Sequence, residues 1–185
     1  DEGIVGQRLM HILGTSPYAS ELFLNSVDSV KLLSDGATGP KFLEQAHQVV
    51  THSLVAAAGR HRHPDKAISV ARSLRRAELA RIAAADLLGF MDVEQVCVSL
   101  SWVWDAVLEA ALRAEIRYWE DENVANAPAR ITVIGMGRLG GAELGYGSDA
   151  DVMFVHEPHD GADDQDAQEH ALAVVTELSR LGKLN

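Results

Sequence analysis

With 185 residues, 47% of them apolar and 23% charged, the chain has the size and balance of a soluble globular protein of one domain or two small ones. The net charge of -11 divides into -3 over residues 1–120 and -8 over residues 121–185. An acidic C-terminal part argues against a nucleic-acid polymer as partner and suits cations, and no apolar run approaches a membrane span, so the expectation is a protein of the reducing cytoplasm that meets no membrane.

Everything before about Asn126 reads as helix. Ser16-Pro17 is an N-cap followed by proline at the first helical position. Leu43 to Ala58 and Lys66 to Leu88 carry apolar residues at three- and four-residue spacing, with Gly59 and Gly89 as stops. Asp92 and Gln95 have the spacing of a capping box. The stripe Val93, Val96, Cys97, Leu100, Trp104, Val107, Leu108 and Ala111 that follows predicts core packing alone, with Cys97 a buried structural thiol. Glu120 to Arg130 reads as a linker. Beyond it Ile131–Ile134 and Val152–Val155 predict two strands, and Ala167 to Leu181 a helix capped by Asp166 or a neighbour. The late acids Asp160, Asp163, Asp164 and Asp166 otherwise read as a solvated acidic loop. The fold class is α+β, with an all-helical domain over 1–126 and the start of a second domain over 127–185. Two strands make too small a sheet, so further strands are expected beyond Asn185; the chain begins without methionine and reads as part of a longer protein.

The chemistry concentrates between the two strands. Gly135-Met136-Gly137-Arg138-Leu139-Gly140-Gly141 follows the first strand, and Ser148-Asp149-Ala150-Asp151 leads into the second. Glycines let a backbone approach phosphates closely, and carboxylates at i and i+2 on a strand point the same way. The turn also matches G-x-G-x-x-G, the dinucleotide fingerprint, with Glu157 about 20 residues on where a ribose-binding acid would stand. That alternative needs a full crossover helix between parallel strands. Gly141, Gly145 and Gly147 interrupt the interval, each costing a helix about 1 kcal/mol. A short helix followed by Ser-Asp-x-Asp resembles instead the polymerase-β-like nucleotidyltransferases.

On that reading Asp149 and Asp151 hold one or two Mg²⁺ ions against the phosphates of a nucleoside triphosphate. Backbone amides from Gly135 to Gly141 and the Ser148 hydroxyl meet the triphosphate, and Arg138 either touches a phosphate or is solvated. Arg75, Arg76 and Arg81 belong to a basic cluster between Arg60 and Arg81. They line the edge of the nucleotide cleft or steer an acidic partner, against the plainer expectation of a solvated helix face. His61 and His63 read as solvated, and Trp102, Trp104 and Trp119 as packing.

The run GMGRLGGAELGYGSDADVMFVHE closely resembles the signature of the glutamine synthetase adenylyltransferases. The helix from Leu74 to Gly89 and the lead-in from Thr15-Ser16-Pro17-Tyr18 are similar to that family as well. Its members carry two nucleotidyltransferase halves, one moving AMP from ATP onto a tyrosine of glutamine synthetase, the other removing it by phosphorolysis. The resemblance implies Mg²⁺, ATP as substrate, glutamine synthetase as protein substrate and a nitrogen-signalling regulatory protein as a further partner. It implies Asp149 and Asp151 as metal-binding acids, and Gly135, Gly137, Gly140, Gly141 and Ser148 as the nucleotide loop. Residues 81–86 and 143–146 look more like the adenylylating half, with the adenylyl-removing half as the alternative. The family's third acid lies in a later segment resembling D-x-R-L-R-P that is not in these 185 residues, so they are expected to bind metal-nucleotide weakly and not to transfer AMP alone. Two other readings stay open: a nicotinamide-dependent oxidoreductase, and a helical interaction module without catalysis.

Overall fold

The computed structural model describes residues 2–34 and 47–182. Its helices run in the order α1 (Glu2–Thr15), α2 (Pro17–Asn25), a 3-10 helix (Val27–Leu33), α3 (His47–Ala58), α4 (Pro64–Leu87) and α5 (Val93–Asn123). Then come β1 (Ala129–Gly135), the single turn α6 (Gly137–Gly140), β2 (Val152–Pro158) and α7 (Asp164–Gly182). Local chemistry sets most of the boundaries. Ser16 Oγ accepts from the Ala19 amide at 3.2 Å, with Pro17 at the first helical position. At the start of α5 the Asp92 carboxylate accepts from the Gln95 amide at 2.8 Å, and the Gln95 side chain accepts from the Asp92 amide at 2.9 Å. Gly89, with φ +74, ends α4.

Several boundaries differ from expectation. The helix expected from Lys66 starts at Pro64, because proline suits the first turn. Of the helix expected from Leu43, residues 43–46 lie outside the described residues. Residues 120–123 of the expected linker form the last turn of α5, which stops at Val124 in a left-handed conformation (φ 51). Asp163 is no idle acid: its Oδ1 accepts from the amides of Gln165 (2.8 Å) and Asp166 (3.3 Å) and caps α7. Cys97 is only half-buried.

The helical core forms around α4 and α5. Ile82, Ala83, Val96, Leu100 and Val103 meet Ile12, Leu22, Phe23 and Leu33 from the first helices. Alanines 67, 71, 106, 110 and 114 let α3, α4 and α5 approach closely around Leu54. By length and composition alone α5 is apolar enough to cross a membrane, as the core helix of a globular protein can be. Half of that stretch is buried inside the protein, and α5 carries Asp105, Glu109, Arg113 and Arg117 along its length.

The two strands pair antiparallel, Ala129 opposite Pro158 through Gly135 opposite Val152. Ile131, Val133 and Phe154 face inward onto Leu112 and Ile116 of α5 and Ala171, Val174 and Leu178 of α7, while Ile134, Met153 and Val155 are exposed on the other face. This geometry removes the dinucleotide alternative, which needs parallel strands and a full crossover helix. Glu157 faces Arg130 across the ladder at 3.4 Å instead of standing ready for a ribose.

His170 on α7 is 1% exposed, packed edge-on against Trp119 at 4.4 Å, and neither ring nitrogen has a hydrogen-bond partner among the described residues. Burial holds its pKa below the ordinary histidine value; nearby Glu120 opposes this and His159 adds to it. The unfolded chain therefore takes up the proton more readily than the folded one. This contribution to stability is fully present above about pH 6.5 and is lost as pH falls below it. His170→Leu should flatten the pH dependence of the urea midpoint across that range. An unchanged slope would refute the assignment.

Candidate functional site

The turn between β1 and α6 is built on backbone contact. A Cβ added at Gly140 would sit 2.4 Å from the Gly135 carbonyl oxygen, so only glycine lets the chain close there. Gly137 adopts φ +51, and its bare Cα leaves the Asp151 carboxylate beside the turn, 3.7 Å from where a Cβ would stand. The Met136 amide donates to the Asp151 carbonyl at 2.8 Å, extending the ladder by one bond and fixing Asp151 at its mouth.

The rest of the loop is pinned to the helical core. Leu139 and Leu144 are 5% and 0% exposed and join the cluster formed by α4 and α5. The Tyr146 hydroxyl donates to Asp86 at the end of α4 at 3.0 Å, and its ring lies 5.5 Å from that of Tyr18 on α2. Burial first, then the facing Asp86 carboxylate, holds the Tyr146 phenol protonated far above its usual range. Tyr146→Phe should destabilise the protein by about 1–2 kcal/mol, read by chemical denaturation, because a half-buried carboxylate loses its donor. A loss below measurement error would show the bond to be incidental.

Ser148 Oγ accepts from the Gly145 amide at 2.9 Å and from Arg138 at 3.4 Å, which leaves its hydrogen free to donate. Asp149 and Asp151 are exposed and precede β2 rather than lying on it, a correction to their expected strand placement. Among the described residues neither carboxylate has a hydrogen-bonding or ion-pair partner. The amides of Gly140 and Gly141 donate to Met136 and Gly137 carbonyls at 3.1 Å, so they are not available to phosphates as expected. The free donors are the amides of Gly137, Arg138 and Leu139, which have no acceptor among the described residues. Two free carboxylates suit a hard divalent cation such as Mg²⁺. No group of three or more His, Cys, Asp or Glu gathers around any point among the described residues.

A cavity of about 450 Å³ opens between α4, α5, the inner sheet face and α7. Asp149 stands in its lining together with Arg72, Arg75 and Arg76 of α4 and Trp104 and Leu108 of α5. The Arg75 guanidinium lies 4.4 Å from the centre of the Trp104 ring. Its Nε is buried without a hydrogen-bond partner among the described residues. Burial pushes the guanidinium pKa down; nearby Tyr18 opposes this and the charge of Arg72 adds to it. Arg81, expected at the same edge, is instead 3% exposed and paired with Glu78 at 2.8 Å, a core position. The apolar stripe of α5 is also more than packing: Trp104, Val107, Leu108 and Ala111 line this cavity. The spacing i, i+3, i+4 of residues 72, 75 and 76 marks one helix face in the sequence. Nothing in the sequence links Asp86 to Tyr146, 60 residues apart.

A family described as glutamate-ammonia ligase adenylyltransferase matches residues 6–183. The chain is 62% identical over 189 residues to the bifunctional glutamine synthetase adenylyltransferase/adenylyl-removing enzyme of Corynebacterium diphtheriae. It is 57% identical over 186 residues to the protein of that name from Corynebacterium glutamicum and 50% identical over 181 residues to that from Mycobacterium tuberculosis. These matches cover 98–99% of the chain and 18% of each relative, so the chain spans about a fifth of the length of the curated relatives it matches. It belongs to the glutamate-ammonia ligase adenylyltransferase family.

Proposed function

We propose that this chain forms part of an enzyme that moves AMP from ATP onto a tyrosine of glutamine synthetase, with Mg²⁺, in the cytoplasm. Residues 127–185 begin a polymerase-β-like nucleotidyltransferase domain, and residues 1–126 are the helical domain that supports it. The observation that carries the reading is the pair of unpartnered carboxylates, Asp149 and Asp151, at the open end of a glycine turn with three free amides. The relatives' name, which joins adenylyl transfer and removal on glutamine synthetase, supports the same substrate.

The amides of residues 137–139 and the Ser148 hydroxyl hold phosphate oxygens. Asp149 and Asp151 would hold Mg²⁺, which would neutralise charge on the phosphates and lower the pKa of the attacking hydroxyl. The tyrosine oxygen forms a bond to the α-phosphorus, the bond from that phosphorus to the β-phosphate oxygen breaks, and pyrophosphate leaves. The tyrosine proton passes to a base or to solvent. Residues 81–86 and 143–146 favour the adenylylating half, and a nitrogen-signalling protein would set the balance with removal. In a full-length protein carrying this chain, Asp149→Asn/Asp151→Asn should abolish AMP addition and spare phosphate-dependent AMP removal. Loss of removal with addition intact would assign these residues to the other half.

A further inference from the structure

We infer that Arg75, with Arg76 beside it, is the cationic wall that receives the phosphate tail of the nucleotide from the helical side of the cleft. This rests on the AMP-transfer reading above. Arg75 and Asp149 line one cavity although they belong to different layers, one on α4 and the other at the entrance to β2. A guanidinium with a buried, unbonded Nε requires an acceptor, and no carboxylate among the described residues supplies one. Trp104 holds the guanidinium by its face and leaves the in-plane N–H groups free to donate. Arg72 and Arg76 on the same side add positive charge, a combination that suits a polyanion better than a single carboxylate. Apart from Ser179, the remaining lining, including Ile68, Val133, Phe154 and Leu178, is apolar and lowers the local dielectric around that contact. Arg75 is thus a binding residue for the triphosphate contributed by the helical region, and it ties nucleotide binding to the packing of α4 on α5.

The test uses the full-length protein with glutamine synthetase, comparing wild type, Arg75→Gln and Arg75→Lys. Arg75→Gln should raise the KM for ATP and the inhibition constant of inorganic pyrophosphate together, by about 10- to 100-fold. Its kcat and its KM for glutamine synthetase should hold within a few-fold. Arg75→Lys, which keeps charge over Trp104 but loses the planar fork, should fall between the two. Hydrogen exchange of residues 135–151, with and without ATP, separates this inference from the reading beneath it. Protection of that loop in wild type with an ATP KM unmoved by Arg75→Gln overturns the inference and leaves the reading. No ATP-dependent protection in wild type overturns both. A rise in the KM for glutamine synthetase alone would assign Arg75 to an acidic protein surface, and the inference would fail.

Discussion

Gly140→Ala should lower the stability of the chain by about 1–3 kcal/mol and cut AMP transfer about a hundredfold or more. The added Cβ would lie 2.4 Å from the Gly135 oxygen and 3.1 Å from its carbonyl carbon. Both are backbone atoms, so no side chain can rotate away and the turn itself must open. Opening it breaks the bond from the Gly140 amide to the Met136 carbonyl and draws neighbouring Leu139 from the core. The amides of residues 137–139, proposed to hold phosphates, would then shift with the turn. Gly147→Ala is the matched control, because a Cβ there meets nothing within 4 Å. If the two substitutions behave alike in urea denaturation and in transfer, the close approach at Gly140 is not what shapes the loop.

Asp149→Asn and Asp151→Asn should each reduce AMP addition by at least about a thousandfold, equivalent to about 4 kcal/mol of transition-state stabilisation. Asparagine keeps the size of the side chain and removes the charge that competes for a divalent cation. Both carboxylates are exposed and without partners among the described residues, so folding has little to lose by the change. Unfolding free energies should stay within about 0.5 kcal/mol of wild type. Variants that retain a tenth of the wild-type rate would exclude these two acids as the metal-binding pair.

The fold was legible where a signal lies within one turn of chain. The Asp92/Gln95 box, the Ser16-Pro17 start and the Gly89 stop each depend on neighbours a few residues apart, and each is found as spaced. Strand ends were less legible, because β1 gains Ala129, Arg130 and Gly135 from pairing with β2 rather than from its own β-branched residues. The glycine turn and the two acids stood out in sequence because their chemistry is compressed into 17 residues, from Gly135 to Asp151. What escaped is long-range. Asp86 meets Tyr146, and Trp104 lies under Arg75. Arg81 pairs with Glu78 only one turn away, but that it turns inward while Arg75 and Arg76 on the same helix face the cavity depends on how the helix packs. Periodicity separates the faces of a helix, but it does not say which face meets the sheet.

The most direct test of AMP transfer gives a full-length protein carrying this chain ATP labelled at the α-phosphate, purified glutamine synthetase and Mg²⁺. Label should become bound to a tyrosine of the synthetase, and removing Mg²⁺ with a chelator should stop it. A synthetase that stays unlabelled in the presence of Mg²⁺ would contradict AMP transfer.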